Sequence, residues 1–242
     1  MLYVGPGATA DRHAHHAIQV AISFDAPVEV DFGEGLTARK AVVIPADVPH
    51  TFRTQTSLLA LLFVEPEGPG GRALRRRLQA GAAATAAAET RLLALPRPSV
   101  DGWGATDALG WVARALELLG EPTAVDPVLH PAVRKALTLL GGSLDGVPKV
   151  DALARQVGVS GSRLMHLFAS EVGIPMRRYV LWLRLKRAAE AVTVGASLTE
   201  AAHAGGFSDG AHLSRTFRDM FGMSPSLVLP RLEFVGRPWS PS

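Results

Sequence analysis

The sequence predicts an α+β chain. A small antiparallel β domain with flanking helices comes first, followed by an all-α domain of two helix-turn-helix units joined by a long helix. Three observations predict it. Residues 17–64 carry short apolar runs and a period-two alternation, interrupted by Gly and Pro. After Pro69-Gly70-Gly71 the texture changes to Ala, Leu and Arg, all strong helix formers. Between residues 151 and 222 one stretch repeats itself at an offset of 48 to 49 residues. The expected division is 1–70 for the β domain, 71–124 for a helical segment and linker, and 125–232 for the double helix-turn-helix.

Within the β domain, Ile18 to Phe24 is followed by a Pro turn and by Val28-Glu29-Val30-Asp31-Phe32, which alternates. Gly33-Glu34-Gly35 ends that run. Ala41 to Ile44 stops at Pro45, and Leu58 to Val64 stops at Pro66. Short strands separated by such turns make a small sandwich or barrel. A helix is expected over Arg72 to Leu95, ended by Pro96-Arg97-Pro98-Ser99. Thr106 is placed to cap a second helix, with Ala108, Trp111, Val112, Ala115, Leu118 and Leu119 as its apolar stripe. The two helices either cover an open side of the β domain or form a dimer interface. Gly120-Glu121-Pro122-Thr123 reads as a linker.

Composition excludes several classes of protein. A chain of 242 residues can bury a core without metals or disulfides. With no cysteine there is no disulfide framework, zinc ribbon or thiol nucleophile. Leu58 to Val64 is far short of the ~20 apolar residues that span a bilayer, and no basic start precedes an apolar signal-like stretch. The expectation is a soluble cytoplasmic protein with no membrane partner. The net charge of +3 is unevenly spread. Residues 1–130 hold 11 Lys and Arg against 14 Asp and Glu, whereas residues 131–242 hold 14 against 8. An acidic half joined to a basic half points to a polyanion partner for the second half alone.

The repeat gives that half its form. The first copy runs from Asp151 through Ala154, Gly158, Leu164 and Phe168 to Gly173, and the second from Thr199 through Ala202, Gly206, Leu213 and Phe217 to Gly222. The extra residue of the second copy falls in the turn, where an insertion costs least. A small Ala lets two helices cross closely, and Gly at the turn takes a backbone conformation that a side chain opposes. Ser160 and Asp209 stand where a side-chain oxygen caps the following helix. Ser197 and Glu200 form a capping box opening the second unit; the matching position in the first unit falls near Lys149, a poorer cap. A helix from about Met176 to Val194 joins the two. Such a pair can present recognition helices to successive major grooves, about 34 Å apart.

Ala201-Ala-His-Ala-Gly-Gly-Phe-Ser-Asp209, Leu213-Ser-Arg-Thr-Phe217-Arg and Phe221-Gly-Met-Ser-Pro225 together resemble the signature of the AraC/XylS family of bacterial transcription regulators. The resemblance covers roughly 130–229, including Tyr179-Val-Leu-Trp-Leu-Arg184-Leu-Lys-Arg-Ala188-Ala189. From the residues alone, the exposed faces hold Ser162, Arg163, Met165 and His166 in the first unit, and Ala211, His212, Ser214 and Arg215 in the second. The resemblance implies base contacts at Ser162, Met165 and His166, and at Gly210, Ala211, Ser214 and Arg215. Gly210 and Ala211 stand where longer polar side chains are common in the family. They can touch a thymine methyl but cannot donate to a base edge, so the first unit is expected to carry more of the discrimination. Arg184, Lys186 and Arg187 are expected to hold phosphate, with an internal ion pair as the other reading for Arg184.

Five histidines lie outside the basic half: His13, His15, His16, His50 and His130. Arg12-His13-Ala-His15-His16-Ala-Ile-Gln19 and Pro45-Ala-Asp-Val-Pro-His50 resemble the two metal-binding motifs of cupin barrels. The resemblance implies one divalent transition metal on His13, His15, Gln19 and His50. Three imidazoles suit Zn, Ni, Cu, Co or Fe(II). Two residues apart on a strand, His13 and His15 would point the same way. Gln19 stands where the motif has an acid, and Asp47 where it has Gly. The same residues read equally well as polar lining of an organic-effector pocket, with His16 replacing His13 if the register differs. His130, at a helix start, reads as a cap or surface residue.

The function expected is a sequence-specific DNA-binding transcription regulator, not an enzyme, whose cupin-like domain senses a small molecule or metal. Its partners would be double-stranded DNA and the effector, with RNA polymerase and a second copy of the chain as the further partners this reading allows. A metal-dependent cupin enzyme fused to a DNA-binding domain is the alternative. Gln19 in place of the acid weakens it, and no Ser/His/Asp or paired-carboxylate arrangement replaces the missing group. An architectural DNA binder without sequence preference is the third.

Overall fold

The computed structural model describes residues 1–79, 82–98, 103–119, 129–142, 149–229 and 232–233. The linker expected at 120–123 lies outside them. The chain forms two compact units, Met1–Ala124 with Ser214–Arg237, and Val125–Leu213 with Pro238–Ser242.

In the first unit, strands β1 (Leu2–Gly5), β2 (Thr9–His13), β3 (Ile18–Ser23), β4 (Val28–Asp31), β5 (Leu36–Arg39), β6 (Ala41–Ile44), β7 (His50–Arg53) and β8 (Leu59–Val64) are joined late in the chain by β9 (Leu232–Glu233). They form two antiparallel sheets, one ordered β6-β3-β8-β1-β9 and the other β2-β7-β4-β5. All six residues of β3 are buried, because both faces of its sheet are covered. Ile18, Val20 and Ile22 share one core with Ala60 and Leu62 of β8 and with the helices. The opposite phase of the pleat turns Gln19 and Phe63 toward the histidines described below.

Three helices follow the strands. The helix expected over Arg72 to Leu95 falls on α1 (Pro69–Gln79) and α2 (Ala82–Leu92), with residues 80–81 outside the described ones. Then comes α3 (Ala105–Leu119). Thr106 lies inside α3 and does not cap it; the Asp107 carboxylate accepts from the Gly104 N–H at 3.0 Å. Ala108, Trp111, Ala115 and Leu119 are buried in the shared core, so the apolar stripe does cover the sheet. Glu89 of α2 fixes the edge strand β6, accepting from the Val43 N–H at 3.0 Å and from Arg39 at 2.6 Å. A free edge N–H is thereby satisfied.

The second unit contains α4 (Pro131–Gly142), α5 (Val150–Val157), α6 (Gly161–Val172), α7 (Met176–Thr193) and α8 (Leu198–Ala204). The division between the units falls inside α9 (Gly210–Phe221), and α10 (Pro225–Val228) follows. The caps sit where the sequence puts them. Ser160 accepts from the Arg163 N–H at 3.3 Å, and Asp209 from the His212 N–H at 2.7 Å. Ser197 and Glu200 close their capping box, whereas Lys149 makes no side-chain cap. Gly158 and Gly206 turn with φ of 77° and 73°. Ala154, Leu164, Phe168, Ala202, Leu213 and Phe217 are all buried. His130 caps α4, its Nδ1 accepting from the Ala132 N–H at 3.1 Å. No helix among the described residues is long and apolar enough to cross a membrane.

Candidate nucleic-acid interface and histidine site

The face of α6 expected to read DNA is open. Ser162, Arg163, Met165 and His166 are all exposed, with Met165 half accessible. In this setting Met165 can touch a thymine methyl and the polar neighbours can reach base edges or phosphate. On α9, Ala211 and Arg215 are exposed, while Gly210, His212 and Ser214 are half-buried. His212 packs edge-on against Phe207, with ring centroids 5.2 Å apart, and its Nδ1 lies 3.2 Å from the Ser208 hydroxyl. That contact turns its ring toward the helix start, so among the five expected positions of α9 Arg215 is the exposed long polar side chain. Along α7, Arg184, Lys186 and Arg187 are half-buried. The Arg184 Nε is buried with no hydrogen-bond partner among the described residues, and no ion pair for it appears among them.

The first unit brings three histidines together. His13 ends β2 and is paired across the sheet with His50 at the start of β7. His15 follows in the loop after β2, so its approach to His13 comes from the bend of the chain and not from strand alternation. The ring centroids lie 5.5 Å apart for His13 and His15, 4.2 Å for His13 and His50, and 5.6 Å for His15 and His50. One nitrogen from each falls within 4.8 Å of the others, and all three residues are buried.

The hydrogen bonds fix the tautomers. Each Nδ1 faces a backbone carbonyl two residues away: His13 the Asp11 oxygen at 2.7 Å, His15 that of Ala17 at 3.1 Å, and His50 that of Val48 at 2.9 Å. A carbonyl only accepts, so each Nδ1 carries the proton and each neutral ring keeps its lone pair on Nε2. Carbonyl-anchored Nδ1–H with a free Nε2 is how histidine is held for metal ligation. Burial disfavours the charged rings and keeps them neutral. It lowers His13, takes His15 to about 3, and with the neighbouring His13 takes His50 to about 4. The His50 Nε2 is buried with no hydrogen-bond partner among the described residues. Such a group costs about 1–3 kcal/mol, which a bound cation would offset. The amide of Gln19, the fourth expected ligand, lies 2.9 Å from His15 Nε2. With the His15 proton on Nδ1, Gln19 donates there through its NH₂, the two ends of the amide being interchangeable by a flip.

His16 turns the other way. Its Nδ1 lies 2.8 Å from the Asp47 carboxylate, and its Nε2 is paired with Glu67. Burial opposes the charge on His16, but the two carboxylates outweigh it and raise its pKa to about 9. A protonated imidazole has no lone pair to give, so His16 does not substitute for His13 as a ligand. Asp47 adopts φ of 63°, the left-handed conformation for which the motif keeps Gly and which Asp tolerates better than most residues. Its N–H donates to the His15 carbonyl at 2.9 Å, so the side chain and backbone of one residue hold His16 and His15.

The His16 pair sets a pH dependence. Its raised value means stability that is full below the unfolded pKa near 6.5 and is lost as pH rises through about 9. The shift corresponds to roughly 3 kcal/mol for so buried a group. The melting temperature is therefore expected to fall between about pH 7 and pH 9, and Glu67→Gln to flatten that fall. Melts showing the same slope in both proteins contradict this.

Comparison with known proteins places the C-terminal part. Residues 153–231 match the helix-turn-helix domain family model, a stretch that takes in both repeats. The HTH-type transcriptional regulator ArgR of Pseudomonas aeruginosa is 30% identical over 97 residues, covering 40% of this chain and 30% of that protein. The Msm operon regulatory protein of Streptococcus mutans is 30% identical over 79 residues, 32% of this chain and 28% of that one. The chain thus spans less than a third of the curated relatives it matches. Among solved structures, ToxT of Vibrio cholerae in an unsaturated fatty acid-bound form aligns over 98% of this chain and 97% of its own, with a TM-score of 0.58 and 9% identity. That likeness extends to the fold of both parts. Residues 153–231 thus belong to a helix-turn-helix domain.

Proposed function

We propose that the protein is a sequence-specific DNA-binding transcription regulator whose β domain senses a ligand at the histidine site, a divalent transition metal held by Nε2 of His13, His15 and His50. The observation that carries the DNA-binding part is the repeated helix-turn-helix with Arg163, Met165 and His166 exposed on α6 and Arg215 on α9. Matched relatives that are themselves named as regulators support a regulatory rather than an enzymatic role. Such a regulator works where the DNA is, in the cytoplasm, with RNA polymerase and a second copy of the chain as its protein partners.

For the metal, the support is the buried, unpartnered His50 Nε2 among three neutral rings. Zn, Ni, Cu, Co and Fe(II) all accept three imidazoles, with Gln19 beside His15 as the fourth polar group. A second reading, an organic effector, is favoured by Phe63, whose ring lies 5.4 Å from His15, and by the fatty acid-bound form of ToxT.

His166→Ala and Arg215→Ala test the reading face. Each is expected to weaken binding to a preferred duplex by about 1–3 kcal/mol where the side chain meets a base edge. Non-specific affinity should fall much less for His166→Ala, because a neutral imidazole attracts phosphate weakly. Competition titrations in which both variants keep the wild-type preference among duplexes contradict the assignment.

A further inference from the structure

The structure assigns Phe221 and Gly222, at the C-terminal end of α9, to the histidine site as its outer wall. A divalent metal on His13, His15 and His50 is then bound tightly only while this end of α9 is in place; that consequence rests on the metal reading above.

Two contacts carry the assignment, both within the first unit. The Phe221 ring lies 5.5 Å from the ring of His15 and stands edge-on to Phe63 at 5.7 Å, with Phe217 stacked on it at 4.5 Å. Phe221 is buried, so it keeps water from the side of His15 that it covers. The shielding of His15 from water therefore depends partly on a residue 206 positions away in sequence.

The second contact reaches His13. The Gly222 carbonyl accepts from the Asp11 N–H at 2.9 Å, and the Asp11 carbonyl accepts from His13 Nδ1 at 2.7 Å. Asp11 thus ties the end of α9 to the group that orients a ligand imidazole. Gly222 is required there twice over. Its φ is 69°, and a Cβ would lie 2.3 Å from the Asp11 oxygen and 2.8 Å from His13 Nδ1. Any side chain must displace the backbone that aims His13. Disturbing a partner of this kind typically costs 10–100-fold in metal affinity.

Co²⁺ titration of the full chain, followed by its visible absorption, tests the assignment. Gly222→Ala and Phe221→Ala are expected to weaken Co²⁺ binding about tenfold or more. Gly173→Ala, at the matching position of the first repeat and with φ of 95°, controls for backbone strain alone and should leave it unchanged. A second readout does not need the metal. Diethyl pyrocarbonate modifies neutral, accessible imidazoles, and peptide mass spectrometry reports the rate at each histidine. In metal-free protein His13, His15 and His50 should react slowly in the wild type and in Gly173→Ala, and faster in the other two variants. A melt of each variant shows whether it is folded, and either wall variant alone suffices. If the wild type binds Co²⁺ and the folded wall variants bind it equally well with unchanged protection, the wall assignment is overturned and the metal reading stands. If the wild type takes up no Co²⁺, the metal reading falls, and the modification rates alone uphold or overturn the wall.

Discussion

Raising the salt from 50 to 200 mM is expected to lower the affinity of the full chain for duplex DNA by roughly 10²–10³. The estimate follows from about five phosphate contacts, each adding close to −0.9 to the slope of log K against log salt. The cations come from the basic half, which holds 14 Lys and Arg against 8 Asp and Glu. Arg163, Arg177 and Arg215 are exposed, and Arg187 is half-buried on α7. Fluorescence anisotropy with a labelled duplex gives the slope directly. A value near −4.5 matches this count, and a slope near zero contradicts a reader of DNA. Arg163→Ala should reduce the slope by about one unit while leaving any sequence preference largely intact.

The other large effect is expected at the histidine site. Metal at a hundredfold excess over its Kd should stabilise the folded chain by about 2.7 kcal/mol. His50→Ala should remove that gain, since His50 supplies the buried nitrogen that has no other partner among the described residues. Protons compete with metal for the same lone pairs. An exposed histidine would lose that competition near pH 6.5. Burial lowers all three rings, taking His15 to about 3 and His50 to about 4, so the folded site should keep its metal well below pH 6. Melts with chelator and with each candidate divalent ion, in both proteins, measure the gain. Identical melts with and without every ion contradict the metal reading. A shift on adding a small organic molecule instead, lost in the same variant, would favour the organic effector.

The helical repeat was legible because its determinants are local. A capping oxygen at Ser160, Ser197 or Asp209 acts on the next three residues, and the turn glycines act on their own backbone. The β domain was less so. β2 reads Thr-Ala-Asp-Arg-His and β5 reads Leu-Thr-Ala-Arg with every residue exposed. Neither shows the apolar alternation that identifies a half-buried strand: β2 owes its form to pairing with the distant β7, and β5 to its hairpin with β4. The histidine motif singled out three residues that the fold brings together, but not by the strand alternation expected, since His15 lies beyond the end of β2. The remaining features join remote segments. Glu67 meets His16 across 51 residues, and Phe221 meets His15 only once β2 and α9 are placed. A single sequence holds no signal for such pairs. The one hint was Asp47, an acid where the motif has Gly: it takes the turn that Gly would take and supplies His16 with a partner.

The central claim is that this chain reads DNA sequence, and selection of duplexes from a random pool by the full-length protein tests it most directly. Enrichment of a bipartite site is expected, with two preferred segments about one helical turn, roughly 10 base pairs, apart. His166→Ala should blur one segment and Arg215→Ala the other. Specific binding should exceed random-duplex binding by about 10³ or more. A pool that emerges with no enriched sequence, bound no better than random duplex, contradicts the account.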